Sequence, residues 1–341
     1  MSPITNNQAA WIPTAKGQVK VGPGPVPSPK DNEVVIEVAY AAVNPVDWKL
    51  QDMAFHNLTY PWIFGIDVSG TIVQLGSGVS RFQIGQRVMG LCDGMITGVV
   101  QKTAFQRYAT CSEIFVSAVP DDIPLANAAV LPLATSTAAT GLFKILGMPL
   151  PVLDPKPAGK TILIWGGSSS CGASAIQLAK AAGYTVATTA GTQNHDFVKS
   201  LGATHVFDHK SPTVMQDILK LLQTGDAVFD CIAEATTQQA CAEIADKVGL
   251  SKFASLLPPE STEYNSEPIW VNGFDIGLVD LDIGDAVFRK YVPEALAKGK
   301  YLPKPDPEVL RGGLERVQDG LNLLRKGVSA KKVVIEIAKE A

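Results

Sequence analysis

Residues 165–172, Trp-Gly-Gly-Ser-Ser-Ser-Cys-Gly, join an apolar β-branched run to a helix-like stretch and are mostly small. A strand that ends near Gly167 and a helix that opens near Gly172 leave backbone N–H groups at a helix N-terminus, where a pyrophosphate binds favourably. These glycines match the ends of a Gly-x-Gly-x-x-Gly pattern, but Ser169 replaces the middle glycine. The context favours a dinucleotide site over a packing turn that binds nothing.

The end of the next strand-like run bears on which dinucleotide binds. Residues 188–194 read Thr-Thr-Ala-Gly-Thr-Gln-Asn, and the first carboxylate after them is Asp196. NAD sites usually place Asp or Glu there for the ribose 2′-hydroxyl, and a carboxylate would repel a 2′-phosphate. The hydroxyls, the amide and Lys199 therefore favour NADPH, although Lys199 also suits a solvated helix face.

Two regions with different sequence patterns must position these residues. From residue 32 to 119, short β-rich runs broken by Gly, Pro and Asp predict an antiparallel, barrel-like region. After residue 160, β-branched runs alternate with helix-period segments, which is typical of βαβ units on a parallel sheet. The sequence predicts an α/β protein with a doubly wound Rossmann sheet and a β-rich domain, to which the helix and strand of residues 312–338 return.

Composition excludes several classes of function. The net charge of −4 comes without any Lys/Arg-dense stretch, so neither nucleic acid nor an anionic membrane is an expected partner. The five cysteines are scattered and predict reduced thiols. The first twenty residues show no targeting pattern, and we expect no run of about twenty apolar residues that spans a bilayer. A cytoplasmic location follows as the expectation.

Five segments together carry a family resemblance across nearly the whole chain. In order and spacing they resemble the medium-chain dehydrogenase/reductase superfamily, and within it the zinc-independent quinone reductases and enoyl reductases. The nearest likeness is to stand-alone enoyl reductases that act in trans with fungal polyketide synthases, such as the lovastatin enoyl reductase. The segments are residues 43–49, 65–79 with the continuation 82–90, 103–110, 131–138 and 166–183.

The resemblance implies a fold and a reaction. A GroES-like twisted-barrel substrate domain is expected from residues 1–124 and 284–341, a Rossmann cofactor domain from residues 125–283, and a cleft where they meet. The implied reaction is hydride transfer from NADPH to the β-carbon of an α,β-unsaturated carbonyl, foremost an enoyl thioester in polyketide or other secondary metabolism. The implied partner is a polyketide synthase or acyl carrier protein. A quinone or enone oxidoreductase and a non-catalytic NADPH-binding module stay open as alternatives.

The resemblance also implies two catalytic residues, Lys49 and Thr137. Hydride addition to an enoyl thioester leaves an enolate oxygen that needs a preorganised donor. Lys49 matches a catalytic lysine of the enoyl reductases, and Thr137 matches a threonine that lines their active site. The alternatives are a surface lysine after an Asn-Pro turn and a helix threonine packed against the sheet.

No metal site is expected. Zinc-dependent relatives have a cysteine where this chain has Asn44 or Val46, and His-Glu where it has Ile66 and Asp67. A four-cysteine structural lobe is missing, and the four histidines show no ligand-like spacing.

The remaining carried-over positions concern the cofactor. Cys171 is expected to be a small buried residue beside it rather than a redox group. His209 departs from an expected tyrosine and faces the adenosine end. Contacts through the backbone are expected at three later positions. The full set is Val46, Asp47, Trp48 and Lys49 near the nicotinamide; Ser168, Ser169, Ser170 and Cys171 near the pyrophosphate; Gly191, Thr192, Gln193 and Asn194 near the 2′-phosphate; His209; and Leu256, Leu257 and Val333.

Overall fold

The structure is a computed structural model that describes residues 4–54, 58–259 and 263–339. Within these ranges the strands are β1 (Asn7–Ile12), β2 (Lys20–Gly24), β3 (Glu33–Ala42), β4 (Trp62–Ile63), β5 (Asp67–Leu75), β6 (Arg87–Leu91), β7 (Tyr108–Ser112), β8 (Val116–Ala118), β9 (Thr161–Trp165), β10 (Thr185–Ala190), β11 (His205–Asp208), β12 (Ala227–Asp230), β13 (Lys252–Ser255), β14 (Glu267–Trp270), β15 (Asp306–Leu310) and β16 (Lys331–Glu336).

The α-helices are α1 (Pro45–Met53), α2 (Gly94–Thr97), α3 (Leu125–Ala128), α4 (Pro132–Ala139), α5 (Ser170–Ala181), α6 (His195–Ser200), α7 (Val214–Leu221), α8 (Ala235–Lys247), α9 (Asp275–Leu278), α10 (Leu281–Gly284), α11 (Val292–Ala297) and α12 (Val317–Lys326). Thr140–Ile145 and Asp285–Tyr291 are π-helical, and 3₁₀ turns cover Val100–Lys102, Glu113–Phe115, Thr192–Asn194 and Gly313–Arg316.

The chain divides into two compact units. The first comprises Met1–Leu133 and Asp306–Ala341, and the second comprises Ala134–Pro305. The sequence placed these divisions earlier, after residues 124 and 283. Residues 284–305 belong with the second unit because Tyr301 shares a 2.9 Å hydrogen bond with Thr135 and Leu302 donates its backbone N–H to Gln177 at 2.6 Å.

The first unit is built on β-sheets, as the short β-rich runs predict. One sheet has the order β15-β16-β3-β5-β6-β8, with β7 also paired to β3, and β2-β1-β4 form a smaller sheet. Every pair in the first unit is antiparallel except β15 with β16. Alternate residues of β3, such as Val34, Ile36 and Val38, lie in the apolar core, which also takes in Val333 of β16 and Leu321 of α12.

The second unit has a parallel sheet in the order β11-β10-β9-β12-β13-β14. The chain runs outward from β9 to β11 and then returns to the other side of β9 at β12. Ligands bind at such a reversal, beside the carboxyl ends of the strands. The Rossmann-type fold predicted from the alternating pattern is confirmed.

One helical stretch departs from the sequence expectation about membrane spans. Leu125–Ile145 is long and apolar enough to cross a bilayer by length and composition, which the sequence reading did not foresee. Of its most apolar window, 83% is buried inside the protein, as in the core helix of a globular fold.

Candidate active site

The carboxyl ends of the parallel strands converge on one cavity of the second unit. Its volume is about 480 Å³, and loops after β9, β10, β11 and β12 line it. Of the predicted cofactor residues, Ser168, Gly191 and His209 lie in its wall. The other lining residues are not among those predicted from the sequence; they are Trp165, Gly166, Thr189, Ala190, Ile232, Glu234, Thr236 and Thr237.

The loop after β9 is shaped by glycines that leave no room for a side chain. Gly166 has φ +84°, which favours glycine. A Cβ on Gly167 would lie 2.1 Å from Thr188 Oγ1, and one on Gly172 would lie 2.3 Å from the Gly166 carbonyl oxygen. The turn is therefore tight, and it leads directly from the end of β9 into the N-terminus of α5. Such a loop fits a pyrophosphate.

Ser169 has a structural task at the position of the missing middle glycine. It is the N-cap of α5, and its Oγ accepts the Gly172 N–H at 3.0 Å. Ser168 and Ser170 are partly exposed on either side, and Cys171 is 8% exposed. These four predicted pyrophosphate residues thus lie together in one turn.

The hydroxyls at the end of β10 support the glycine loop rather than facing solvent. Thr189 Oγ1 accepts the Gly166 N–H at 2.9 Å, and Thr188 Oγ1 donates to the Ile164 carbonyl at 2.7 Å. Beyond them, Thr192 and Gln193 are exposed and Asn194 is partly exposed in the 3₁₀ turn. This edge presents hydroxyl and amide groups and no carboxylate side chain before Asp196.

Two basic side chains lie near this edge. His209, just after β11, lines the cavity, and its Nδ1 is 3.9 Å from Asp208 Oδ1. Lys199 on α6 is 56% exposed, and its Nζ is 4.0 Å from Asp196 Oδ1. Lys199 is absent from the cavity lining, so His209 is the better placed of the two.

Asp230 supports the far wall of the cavity. Its carboxylate is fully buried at the end of β12 and accepts N–H bonds from Ile232 and Ala233 at 3.0 and 2.9 Å and the Thr237 hydroxyl at 2.7 Å. Burial raises the pKa of Asp230, against the effect of those hydrogen bonds. A carboxylate at the end of a short apolar run, Ala227 to Phe229, was the signal that could have revealed this wall.

Cys171 has a neighbour that its sequence surroundings hide. Cys231 Sγ lies 3.9 Å from Cys171 Sγ, although sixty positions separate them. Both are free and buried, and burial raises the pKa of the Cys231 thiol well above its usual range. A neutral thiol is a poor nucleophile, so Cys231 is not an activated cysteine.

The other predicted residue pair of this unit follows β13. The Leu256 N–H donates to the Asp230 carbonyl at 3.2 Å, and Leu257 is 36% exposed. Both residues lie at the same sheet edge as the glycine loop, because β9, β12 and β13 are parallel neighbours.

Thr137 lies on α4 among other hydroxyls. Thr135 bonds Tyr301, and Ser136 Oγ donates to the Gly273 carbonyl at 2.5 Å. Both are fully buried, whereas Thr137 is partly exposed. Within the described part of the chain no hydrogen bond is found for the Thr137 hydroxyl, so it remains open to a ligand.

In the first unit, α1 carries Val46, Asp47, Trp48 and Lys49. Lys49 is partly buried, and its Nζ is 5.8 Å from the centroid of the Trp48 ring. Arg325 lies on the same ring at 5.9 Å and pairs with Asp52 at 2.7 Å. Among residues 4–54, 58–259 and 263–339, Lys49 Nζ has no ion-pair partner.

The side chains of Asp47 and Val333 are buried inside the protein. Asp47 is 1% exposed, and its oxygens accept the Asn44 and Gly65 N–H groups at 2.8 and 3.0 Å. Burial raises the pKa of Asp47 to about 7. Val333 is fully buried, and its carbonyl accepts the Val43 N–H at 2.9 Å. Val46 is partly exposed.

Comparison with known proteins places this geometry in a family. Residues 30–121 match the family described as "Alcohol dehydrogenase GroES-like domain", and residues 171–296 match "Zinc-binding dehydrogenase". The chain is 54% identical over 335 residues to "Trans-enoyl reductase himH" of Aspergillus japonicus, covering 98% of each chain. The protein belongs to the medium-chain dehydrogenase/reductase superfamily.

Further relatives of this dehydrogenase/reductase agree. It is 32% identical to "Trans-enoyl reductase tndF" of Aspergillus flavipes, covering 97% of this chain and 99% of the other. Among solved structures, the CurK enoyl reductase superposes with a TM-score of 0.75 at 20% identity, covering 97% and 99% of the two chains. At that identity the likeness concerns the fold.

The family description names zinc, and the donor set of this dehydrogenase/reductase does not fit it. Asn44 and Asp67 face each other at 2.9 Å, but the Lys332 ammonium lies 3.2 Å from Asp67 Oδ2 and 2.5 Å from Asn44 Oδ1. Within the described ranges no cluster of three or more His, Cys, Asp or Glu residues suits a metal ion. A cationic side chain therefore stands against the oxygens that a zinc ion would need.

Proposed function

We propose that this protein is an NADPH-dependent, zinc-independent enoyl reductase that reduces the double bond of an α,β-unsaturated thioester in polyketide biosynthesis. The observation that carries the proposal is its 54% identity, over 98% of both chains, to a protein named as a trans-enoyl reductase. The glycine loop and the open hydroxyl of Thr137 support it, because they supply a dinucleotide cradle and a free donor.

The residues of the second unit suit a dinucleotide. The glycine loop with Ser168, Ser170 and Cys171 would hold the pyrophosphate on the N–H groups of α5. The carboxylate-free edge from Gly191 to Asn194, with His209, would accept a 2′-phosphate, which supports NADPH over NADH. When bound, NADPH supplies a hydride to the β-carbon of the substrate.

The protein groups then stabilise charge on the substrate oxygen. Hydride addition places negative charge on the thioester oxygen, and preorganised N–H or O–H donors lower the barrier to this step. In the proposal the Lys49 amine donates to that oxygen, and the Thr137 hydroxyl contacts the nicotinamide or the substrate carbonyl. Water supplies the proton to the α-carbon.

We also propose a partner and a cellular location for the protein. In the proposal the acyl substrate is presented by a polyketide synthase, on its acyl carrier protein, in the cytoplasm.

The test follows the loss of NADPH absorbance at 340 nm with a short 2-enoyl thioester, a 2-methyl-enoyl thioester, a quinone and an aldehyde, and repeats the panel with NADH. We expect thioester turnover with NADPH and a loss of about 100-fold or more in kcat for Lys49→Ala, because a transition-state donor is removed. Lys20→Ala, an exposed lysine of β2, is the matched control and should behave as wild type.

Three results would each contradict a different part of the proposal. Turnover of the quinone alone would favour the quinone oxidoreductase alternative. Tight NADPH binding without turnover of any substrate would favour the non-catalytic module. Undiminished thioester turnover in Lys49→Ala would keep the reaction and remove the role of Lys49.

A further inference from the structure

Lys332 is a buried lysine of the first unit to which the sequence reading gave no role. It is the second residue of β16 and is 4% exposed. Its Nζ lies 2.5 Å from Asn44 Oδ1 and 3.2 Å from Asp67 Oδ2. An ammonium inside a protein is unfavourable unless it is paired and hydrogen-bonded. These two partners are what permit Lys332 to be buried.

The partners of Lys332 are themselves tied down. Asn44 Nδ2 donates to Asp67 Oδ2 at 2.9 Å, and Asp67 Oδ1 accepts the Leu133 N–H at 2.7 Å. Both side chains are at most 3% exposed. The ammonium, the amide and the carboxylate thus form a closed triangle of contacts with no exposed member.

The network ends on the helix that carries Lys49. Asn44 immediately precedes α1, and its N–H donates to Asp47 Oδ2 at 2.8 Å, while Asp47 Oδ1 binds the Gly65 N–H at 3.0 Å. We call Asn44, Asp47, Asp67 and Lys332 the buried polar cluster. The cluster fixes both the N-cap and the first turn of α1. A shift of the cluster therefore moves Lys49, which lies two residues after Asp47.

We infer that Lys332 is a positioning residue for Lys49: its buried ammonium, held by Asn44 and Asp67, fixes the start of α1. The ammonium lies against the Asn44 and Asp67 oxygens, in the two segments that the resemblance matches to the zinc-site segments of zinc-dependent relatives. The inference rests on the proposed function only in giving Lys49 a catalytic task.

The experiment compares Lys332→Met, which keeps length and removes charge, with Lys332→Arg, which keeps charge. The matched control is Lys331→Met, because Lys331 is the adjacent residue, is 47% exposed and lies 3.8 Å from Asp306. Five quantities are measured on each protein: the acetylation rate of Lys49 by peptide mass spectrometry, Tm, kcat for the enoyl thioester, KM for NADPH, and bound zinc.

In Lys332→Met we expect faster acetylation of Lys49 and a kcat lower by about 10- to 100-fold, because small misplacements of a catalytic group have effects of this size. KM for NADPH should change much less than kcat. Lys332→Arg should restore most of the wild-type kcat and most of the wild-type rate of Lys49 acetylation. Lys331→Met should match wild type, and none of the proteins should retain stoichiometric zinc.

A lower Tm with unchanged Lys49 acetylation and unchanged kcat in the folded fraction would overturn the inference, since that is the result of a merely structural lysine. One zinc per wild-type chain would overturn it too. If wild type reduces no enoyl thioester, the proposed function fails, while Lys49 acetylation still tests the positioning.

If Lys332→Met does not fold, Asp67→Asn replaces it. This variant keeps the volume of the side chain and removes its charge. We expect Lys49 acetylation and kcat to change in the same direction as in Lys332→Met, but by less. Acetylation and kcat equal to wild type would contradict the inference.

Discussion

The glycine loop after β9 and the buried polar cluster beside α1 fix their surroundings by opposite means. In the loop, Gly167 and Gly172 let backbone segments approach to distances at which a Cβ would lie 2.1 and 2.3 Å from its neighbours. In the cluster, charged and amide side chains fill the interior, and Lys332 reaches Asn44 across 288 positions of the chain. The loop depends on missing side chains, and the cluster depends on matched ones.

This difference decides how each region responds to change. A loop held by close backbone contacts is sensitive to added volume and not to charge, because backbone amides carry none. A buried cluster of ionisable groups is sensitive to charge, because each charge is stabilised only by its partners. The predictions below test these two sensitivities.

The largest effect is expected from the titration of Asp47. Burial raises its pKa from 3.8 to about 7, so the folded protein holds a proton that the unfolded chain has released. The proton on Asp47 therefore makes the free energy of unfolding depend on pH. Its stabilising contribution is complete below about pH 4 and is lost as the pH rises through 7, which lowers the free energy of unfolding by up to about 4 kcal/mol. In Asp47→Asn, urea unfolding at pH 5 and pH 8 should show a smaller decrease with pH than wild type.

Asp52→Asn provides the control for Asp47. Asp52 lies on the same helix but is 39% exposed and pairs with Arg325. Its replacement should leave the pH dependence of unfolding as in wild type. Asp230, whose pKa burial also raises, retains its contribution in both variants, so only the difference between proteins is informative. An equal slope in Asp47→Asn and wild type would mean that Asp47 stays ionised in the fold.

A smaller effect is expected when volume is added to the glycine loop. In Gly172→Ala the new methyl group would meet the Gly166 carbonyl, and overpacking of this kind costs about 1–3 kcal/mol. Since the same backbone forms the proposed pyrophosphate site, the Kd for NADPH should rise about 10- to 100-fold, measured by fluorescence titration.

Gly22→Ala is the matched control for the loop. A Cβ at Gly22 has its nearest neighbour at 3.9 Å, so the alanine fits without movement. Its Kd for NADPH should equal that of wild type. If Gly172→Ala binds NADPH as tightly as wild type, the loop accommodates volume and the contrast with the cluster is lost.

The same contrast explains what could be read from the sequence. Gly167, Ser169 and Gly172 lie within six positions, and the strand before them and the helix after them have clear periodicities, so the loop and the parallel sheet were predictable. The alternation of short β-runs likewise indicated the antiparallel unit. These features depend on neighbours along the chain.

Features that depend on distant partners were not predictable. Nothing near Lys332 in the sequence indicates burial, because its partners are Asn44 and Asp67. The Cys171–Cys231 contact was missed for the same reason, since sixty positions separate the two residues. Asp230 is different, because its partners Ile232, Ala233 and Thr237 lie within seven positions of it. The end of the second unit was placed too early, because Tyr301 and Leu302 are held there by Thr135 and Gln177, which only the folded chain brings near.

The smallest effect is expected at His209, which combines traits of both regions. Its side chain lines the cavity like the loop, but it is ionisable like the cluster, and it is 44% exposed. An exposed charge contact is worth about 0.2–1 kcal/mol, so His209→Ala should raise KM for NADPH by only about 2- to 5-fold. KM for NADH, which lacks the 2′-phosphate, should change less.

Lys210→Ala separates this contact from a general effect of basic charge. Lys210 is the next residue, is exposed and does not line the cavity. If the 2′-phosphate is bound by a side chain in the wall, His209→Ala must change the ratio of the two KM values and Lys210→Ala must not. Equal changes in both variants would show that the edge attracts the cofactor through its overall charge. Specificity for NADPH would then depend on the absence of a carboxylate between Gly191 and Asn194, another case in which a missing side chain decides binding.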